Sequence, residues 1–178
     1  MQLTPTSIGG CFLVAADHSG DDRGQFTKMF RASRFREAGL EDAFAEQFTT
    51  VSGANVIRGM HLQVPPHDHA KLVCCPAGKV LDVLVDVRRK SPTYGRHESF
   101  TLGEAAPQGL YVARGVAHGF LVLEPPALMV YMTSTEHVPE SDTGIRWDSF
   151  GFAWPVAKPV LSTRDSRLPA LADFRAPF

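Results

Sequence analysis

The chain has 178 residues, 44% hydrophobic and 21% charged, which is the balance of one soluble globular domain with a real core. A formal net charge of −1 argues against a nucleic-acid footprint. The longest apolar runs, such as Leu128 to Met132, are far too short to cross a bilayer.

The opening "MQLTPTSIGG" lacks a basic stretch followed by an apolar one, so no export signal is expected. Of three cysteines, Cys74 and Cys75 are adjacent and Cys11 is distant. That is no disulfide framework, and it fits a reducing cytoplasm. "ASRFREAGLEDAF" predicts a helix over Ala32 to Phe44, with Ser33 as a candidate N-cap and Gly39 interrupting it. Most of the remainder alternates with period two between Gly and Pro breaks. In "VIRGMHLQ" a strand places His61 and Gln63 on one face and Met60 and Leu62 on the other. Arg58 falls opposite His61 in a regular strand, but Gly59 permits a bulge that brings both to one side. Pro65 and Pro66 make a turn, after which Lys71, Val73 and Cys75 share a face.

"KVLDVLVDVR" is the clearest strand, with Leu81, Val83, Val85 and Val87 on one side and Val80, Asp82, Leu84, Asp86 and Arg88 on the other. "SPTYG" turns into a strand at "RHESFTL". "GLYVARGVAHGFLVLEPPALMVYMTSTEHV", from Gly109 to Val138, gives two or three more strands, with turns at Arg114-Gly115 and Pro125-Pro126. Short strands at regular spacing argue for a sandwich or barrel. The Pro-rich tail predicts wrapping segments, with a helical turn near "STRDSR". The expected organisation is one domain over 1–178, with a core of about 12–155 and a C-terminal wrap of about 156–178.

If the Asp82 face and the His61/Lys71 face both look into a barrel, charged groups converge there. Burying charge without partners is costly, so a polar barrel interior points to a ligand site. On composition and periodicity alone, plainer readings stand beside this one. Asp82 would equally suit a half-exposed strand. His18, His97 and His137 read as structural or surface residues, and His67 and His69 as solvated turn histidines.

An ordered set of segments carries more. "DDRGQF" (21–26), "VIRGMHLQ" (56–63), "KLV" (71–73), "GKVLDVLVDVRRKSPTYG" (78–95), "RGVAHGF" (114–120), "VYMTS" (130–134), "GIRWD" (144–148), "WP" (154–155) and "LSTRD" (161–165) resemble the dTDP-4-dehydrorhamnose 3,5-epimerase family. The resemblance implies an all-β, cupin-type jelly-roll barrel with short peripheral helices and no metal or organic cofactor. It implies a homodimer in which N-terminal strands reach across to the partner. The implied substrate is a nucleotide-diphospho-4-keto-6-deoxy sugar, epimerised at C3, C5 or both, with neither nucleic acid nor membrane as a partner. By the same resemblance His61 is the base and Asp165 the carboxylate that orients it. Lys71 is the cation near the enolate oxygen, and Tyr131 the acid that returns a proton at C5 from the opposite face. Read without the family, Asp165 is a turn aspartate and Tyr131 a core tyrosine. Arg58, Asp82 and His118 match pocket positions, while Gln47, Arg23 and Phe26 match nucleotide-contacting ones, the last two from the neighbouring subunit.

The chain also departs from the family. Thr49 stands where an Asn is usual, Lys28 where Glu is frequent, and Glu136 where an aromatic stacks on the base. An acid at 136 suits base amino groups, which opens CDP or GDP sugars beside dTDP. Two rivals stay open. One is a metal-dependent cupin oxygenase or isomerase using His67, His69 and His118, although Lys71 is a poor neighbour for a cation. The other is a non-catalytic cupin that binds a sugar nucleotide.

Overall fold

The structure, a computed structural model, describes residues 1–103 and 107–178. In chain order its strands are β1 (Gln2–Pro5), β2 (Phe12–Ala15), β3 (Asp17–Asp21), β4 (Gly24–Lys28), β5 (Glu46–Ser52), β6 (Ile57–Gln63), β7 (Lys71–Asp86), β8 (His97–Leu102), β9 (Gln108–Val112), β10 (Val116–Thr133) and β11 (Asp142–Gly144). One short helix, α1 (Ala32–Glu37), and a 3-10 turn at Asp165–Arg167 complete the elements.

Two long antiparallel strands organise the molecule. The first part of β7, Lys71 to Cys74, pairs with β9 and with Val130 to Thr133 of β10. Its second part, Val80 to Asp86, pairs with β8 and with Val116 to Val122 of β10. Each long strand therefore belongs to two walls. β6 and β11 extend one wall, while β5, β2 and β1 extend the other. The result is the jelly-roll barrel expected from the sequence.

β10 corrects one expectation. Pro125-Pro126 is not a turn between strands but lies inside β10. Prolines cannot donate to a ladder, and the pairing with β7 shifts register on both sides of Glu124 and again before Val130. The irregular stretch is where the strand passes from one wall to the other.

The apolar residues form three layers. Val73, Val80, Leu84, Leu110, Phe120 and Met129 fill the barrel. Val83, Val85, Val87, Met60 and Leu62 point outward and are covered by Ile145, Phe150, Trp154 and Phe174. The clean alternation of "KVLDVLVDVR" thus belongs to a strand buried on both faces, its odd-numbered side lying under the C-terminal segment. Across the other wall, Val14, Leu72 and Tyr111 are covered by Phe35 of α1.

The helix is shorter than expected. It stops at Glu37, and Gly39 takes φ +69° while Leu40 N–H bonds back to the Phe35 carbonyl. A left-handed glycine of this kind ends helices readily. Phe44, expected as its last residue, instead folds back edge-on against Phe30 at 5.1 Å. Its apolar spacing served loop packing rather than a helical face.

Candidate active site

A cavity of about 250 Å³ opens between the two walls. Its shape begins with a bulge in β6. His61 faces His118 of β10 and Arg58 faces Phe120, so three steps on β6 match two on β10. This is the bulge that Gly59 permits. Gly59 has φ +134°, and a Cβ there would meet the Gly119 Cα at 2.5 Å. The extra residue turns Arg58 and His61 to the same side, and both line the cavity.

The 3-10 turn delivers Asp165 beneath His61. Its Oδ1 lies 2.8 Å from His61 Nε2, and its Oδ2 accepts from the Gly59 backbone N–H at 3.3 Å. Burial works to raise the Asp165 carboxyl, but the hydrogen bond and charge of His61 and the Gly59 N–H outweigh it and hold it below the usual range. An ionised carboxylate accepts, so His61 Nε2 is the donor in this pair and Nδ1 is the nitrogen left outside it. The ring is 27% exposed, open enough to meet a ligand.

Lys71 is buried at the start of β7, and its Nζ donates to the His61 carbonyl at 3.1 Å. Burial lowers its ammonium to about 8, with Asp142 and Asp82 opposing the change. Near neutral pH it is still a cation, in a setting where charge acts over a low dielectric. His118 Nε2 sits 2.8 Å from Asp82 Oδ2, a second buried histidine–carboxylate pair. Burial raises the Asp82 carboxyl against the pull of His118. Tyr131 lines the cavity from β10 and is 7% exposed. Burial pushes its hydroxyl well above the usual tyrosine range, so it stays protonated.

His61, Lys71, Tyr131, Arg58 and His118 thus converge on one space, with Asp165 and Asp82 behind them. The remaining sequence candidates lie elsewhere. On β5, Glu46, Phe48 and Thr50 face the cavity, and strand alternation turns Gln47 outward. Glu136 is exposed, offers Gln63 its backbone carbonyl and is not among the residues that line the cavity. Arg23 and Phe26 sit on the β3–β4 hairpin, with Phe26 58% exposed and the hairpin's residues exposed from His18 onward.

Other cavity residues were not legible beforehand. Asp142 accepts from Arg164 at 2.7 Å and sits 3.1 Å from His137 Nε2. His137, read as a surface residue, lines the rim; only pairing between β11 and β6 brings Asp142 there. His69 also lines the cavity rather than standing in solvent, and burial and Lys71 lower its imidazole to about 3.

The rival metal set does not assemble. His67 Nδ1 is 2.9 Å from Ser141 Oγ, His69 Nδ1 is 3.2 Å from Gln63 Nε2, and His118 is engaged with Asp82. Among the described residues, no three His, Cys, Asp or Glu side chains are grouped to hold a metal ion. No helix among them is long and apolar enough to cross a membrane. All three cysteines are free.

Comparisons with known proteins give the family and the fold. A model of the dTDP-4-dehydrorhamnose 3,5-epimerase family matches residues 5–173. The chain is 36% identical over 168 residues to the dTDP-4-dehydrorhamnose 3,5-epimerase of Shigella flexneri, covering 93% of each. Its fold is similar to that of NovW, a 4-keto-6-deoxy sugar epimerase from Streptomyces spheroides. There the TM-score is 0.93 and the identity 34%, covering 97% of this chain and 88% of NovW. It is also similar to ChmJ, a 3'-monoepimerase from Streptomyces bikiniensis in complex with dTDP-quinovose. There the TM-score is 0.89 and the identity 34%, covering 94% of this chain and 87% of ChmJ.

Proposed function

Because this chain belongs to the dTDP-4-dehydrorhamnose 3,5-epimerase family, we propose that its cavity takes a dTDP-linked 4-keto-6-deoxyhexose and inverts C3 and C5. The chain is an isomerase, an epimerase of deoxysugar biosynthesis. The single observation behind the residue roles is His61 Nε2 at 2.8 Å from Asp165 in a space that Lys71 and Tyr131 also line.

A hydrogen on a carbon next to a ketone is weakly acidic, because the electron pair left behind passes to the carbonyl oxygen. In the proposed reaction His61 Nδ1 takes that proton, and Asp165 stabilises the imidazolium that forms. The Lys71 ammonium stabilises the developing O4 oxyanion. At C5 Tyr131 then gives its hydroxyl proton to the carbon from the other face and the enolate collapses to the ketone; the imidazolium of His61 loses its proton to solvent, and solvent restores the tyrosine. Arg58 lines the cavity with its Nε anchored on Ser52 Oγ at 2.9 Å, and its guanidinium suits the diphosphate.

The nucleotide is proposed as dTDP because ChmJ holds a dTDP sugar and because the argument for another base rested on Glu136, whose side chain does not line the cavity. We further propose a homodimer. The β3–β4 hairpin pairs with itself in this chain and leaves Phe26 uncovered, which supports a role for Phe26 and Arg23 in a second copy's site. Incubation in D₂O with dTDP-, CDP- and GDP-linked 4-keto-6-deoxy sugars, followed by NMR, tests the function. Label is expected at C3 and C5 of the dTDP sugar. Absence of exchange in all three would leave a binding protein, and exchange with CDP or GDP alone would overturn the nucleotide.

A further inference from the structure

Phe48 stands out among the cavity residues because nothing in the proposed proton transfers uses it. It lies on β5 directly across from Tyr131 on β10, so the two side chains share a face. Their rings stack with centroids 4.6 Å apart and planes 9° from parallel. The Tyr131 ring also meets the His118 imidazole edge-on, at 6.1 Å and 71°. Tyr131 is therefore flanked by two ring contacts, while Phe48 is 40% exposed at the cavity wall. A large aromatic left that open contributes little to folding, and Phe48 belongs to none of the three apolar layers among the described residues.

The hydroxyl lies on the long axis of the tyrosine ring, so χ1 decides where it points, and in a strand two χ1 wells are common. A swing of χ1 would carry the Tyr131 ring off its parallel stack on Phe48, while the β5–β10 ladder holds the two backbones in register. We propose that Phe48 is a positioning residue that holds Tyr131 in the rotamer from which its hydroxyl reaches C5 of the sugar, and so sets how often proton removal at C5 ends in inversion. This rests on the reading of Tyr131 as the acid.

The test compares net inversion with solvent-deuterium exchange on the dTDP-linked 4-keto-6-deoxy sugar. Phe48→Leu keeps an apolar side chain but no plane, and Phe48→Tyr restores the plane. Phe48→Leu is expected to lower inversion per exchange about five- to tenfold, the size of one lost aromatic stack. Phe48→Tyr should return it to the wild-type ratio, and both variants should show the parent's circular dichroism at the assay temperature. In a Tyr131→Phe background, Phe48→Leu should add nothing, because a positioning residue acts through the group it positions. A wild-type ratio in Phe48→Leu, or additive losses in the double variant, would overturn the positioning role while leaving the acid in place. If Tyr131→Phe alone keeps the wild-type ratio, the acid assignment fails and the role of Phe48 fails with it.

Discussion

His61 and Asp165 stand 104 positions apart in the chain and 2.8 Å apart in the fold. The contact requires the bulge at Gly59, the β6–β11 pairing that brings the chain back, and the 3-10 turn that lifts Asp165 under β6. Removing the base by His61→Ala is expected to abolish deuterium exchange at both carbons. Asp165→Asn keeps the shape but loses the charge that stabilises the imidazolium, and kcat should drop on the order of 10²–10⁴-fold. Wild-type turnover in Asp165→Asn would return that residue to a purely structural turn position.

The pH profile follows from Lys71. Its protonated form is the one that stabilises an oxyanion, and burial holds it at about 8. Activity is expected to fall as pH rises through about 8. A rate that stays flat to about pH 10, two units above that value, would exclude Lys71 as the cation.

The same burial makes Lys71 a cost to folding. Its folded pKa, about 8, lies below the solvated value of 10.5, so between them the unfolded chain binds more protons and stability rises with pH. Lys71→Met should therefore be inactive yet more stable at neutral pH, by on the order of 2–3 kcal/mol. The two proteins should converge as pH rises from about 8 to 10.5. Urea unfolding at about pH 7 and about pH 10 checks both the sign and the window.

Tyr131→Phe keeps the ring and its stacking but removes the acid. Exchange should persist while inversion at C5 slows, by on the order of 10²-fold or more. Equal losses in exchange and inversion would show that the hydroxyl serves the first proton transfer.

Gly59→Ala addresses the bulge. The backbone there has φ +134°, and the added methyl would meet Gly119 Cα at 2.5 Å and the His118 carbonyl at 2.9 Å. A loss of roughly 2–3 kcal/mol or more is expected in denaturant unfolding, together with loss of activity. A neutral effect would mean that β6 can hold Arg58 and His61 together without this geometry.

Sedimentation should give about twice the 19.5 kDa chain mass. Arg23→Ala should raise KM more than it lowers kcat, because the residue is proposed to contact the nucleotide and not the reacting carbon. A monomer that is fully active would remove the hairpin from the site.

Local pattern determined a good deal of this protein. Period-two alternation marked β6, β7 and β8, and Gly59 between Arg58 and His61 announced the bulge, because only local sterics decide what a glycine in a strand permits. The motifs also carried the histidine, lysine, tyrosine and distant aspartate that meet in the cavity. Tertiary packing decided the rest. Whether Asp82 faced water or the barrel interior depended on the C-terminal segment covering the other side of β7, a contact no local period encodes. Gln47 and Phe48 differ by one position, and the pairing of β5 with β10 chose which of them entered the site. Asp142, Arg164 and His137 became neighbours through the pairing of β11 with β6 and the placement of the final turn. Long-range pairing sets register, and a step of one residue exchanges the two faces of a strand.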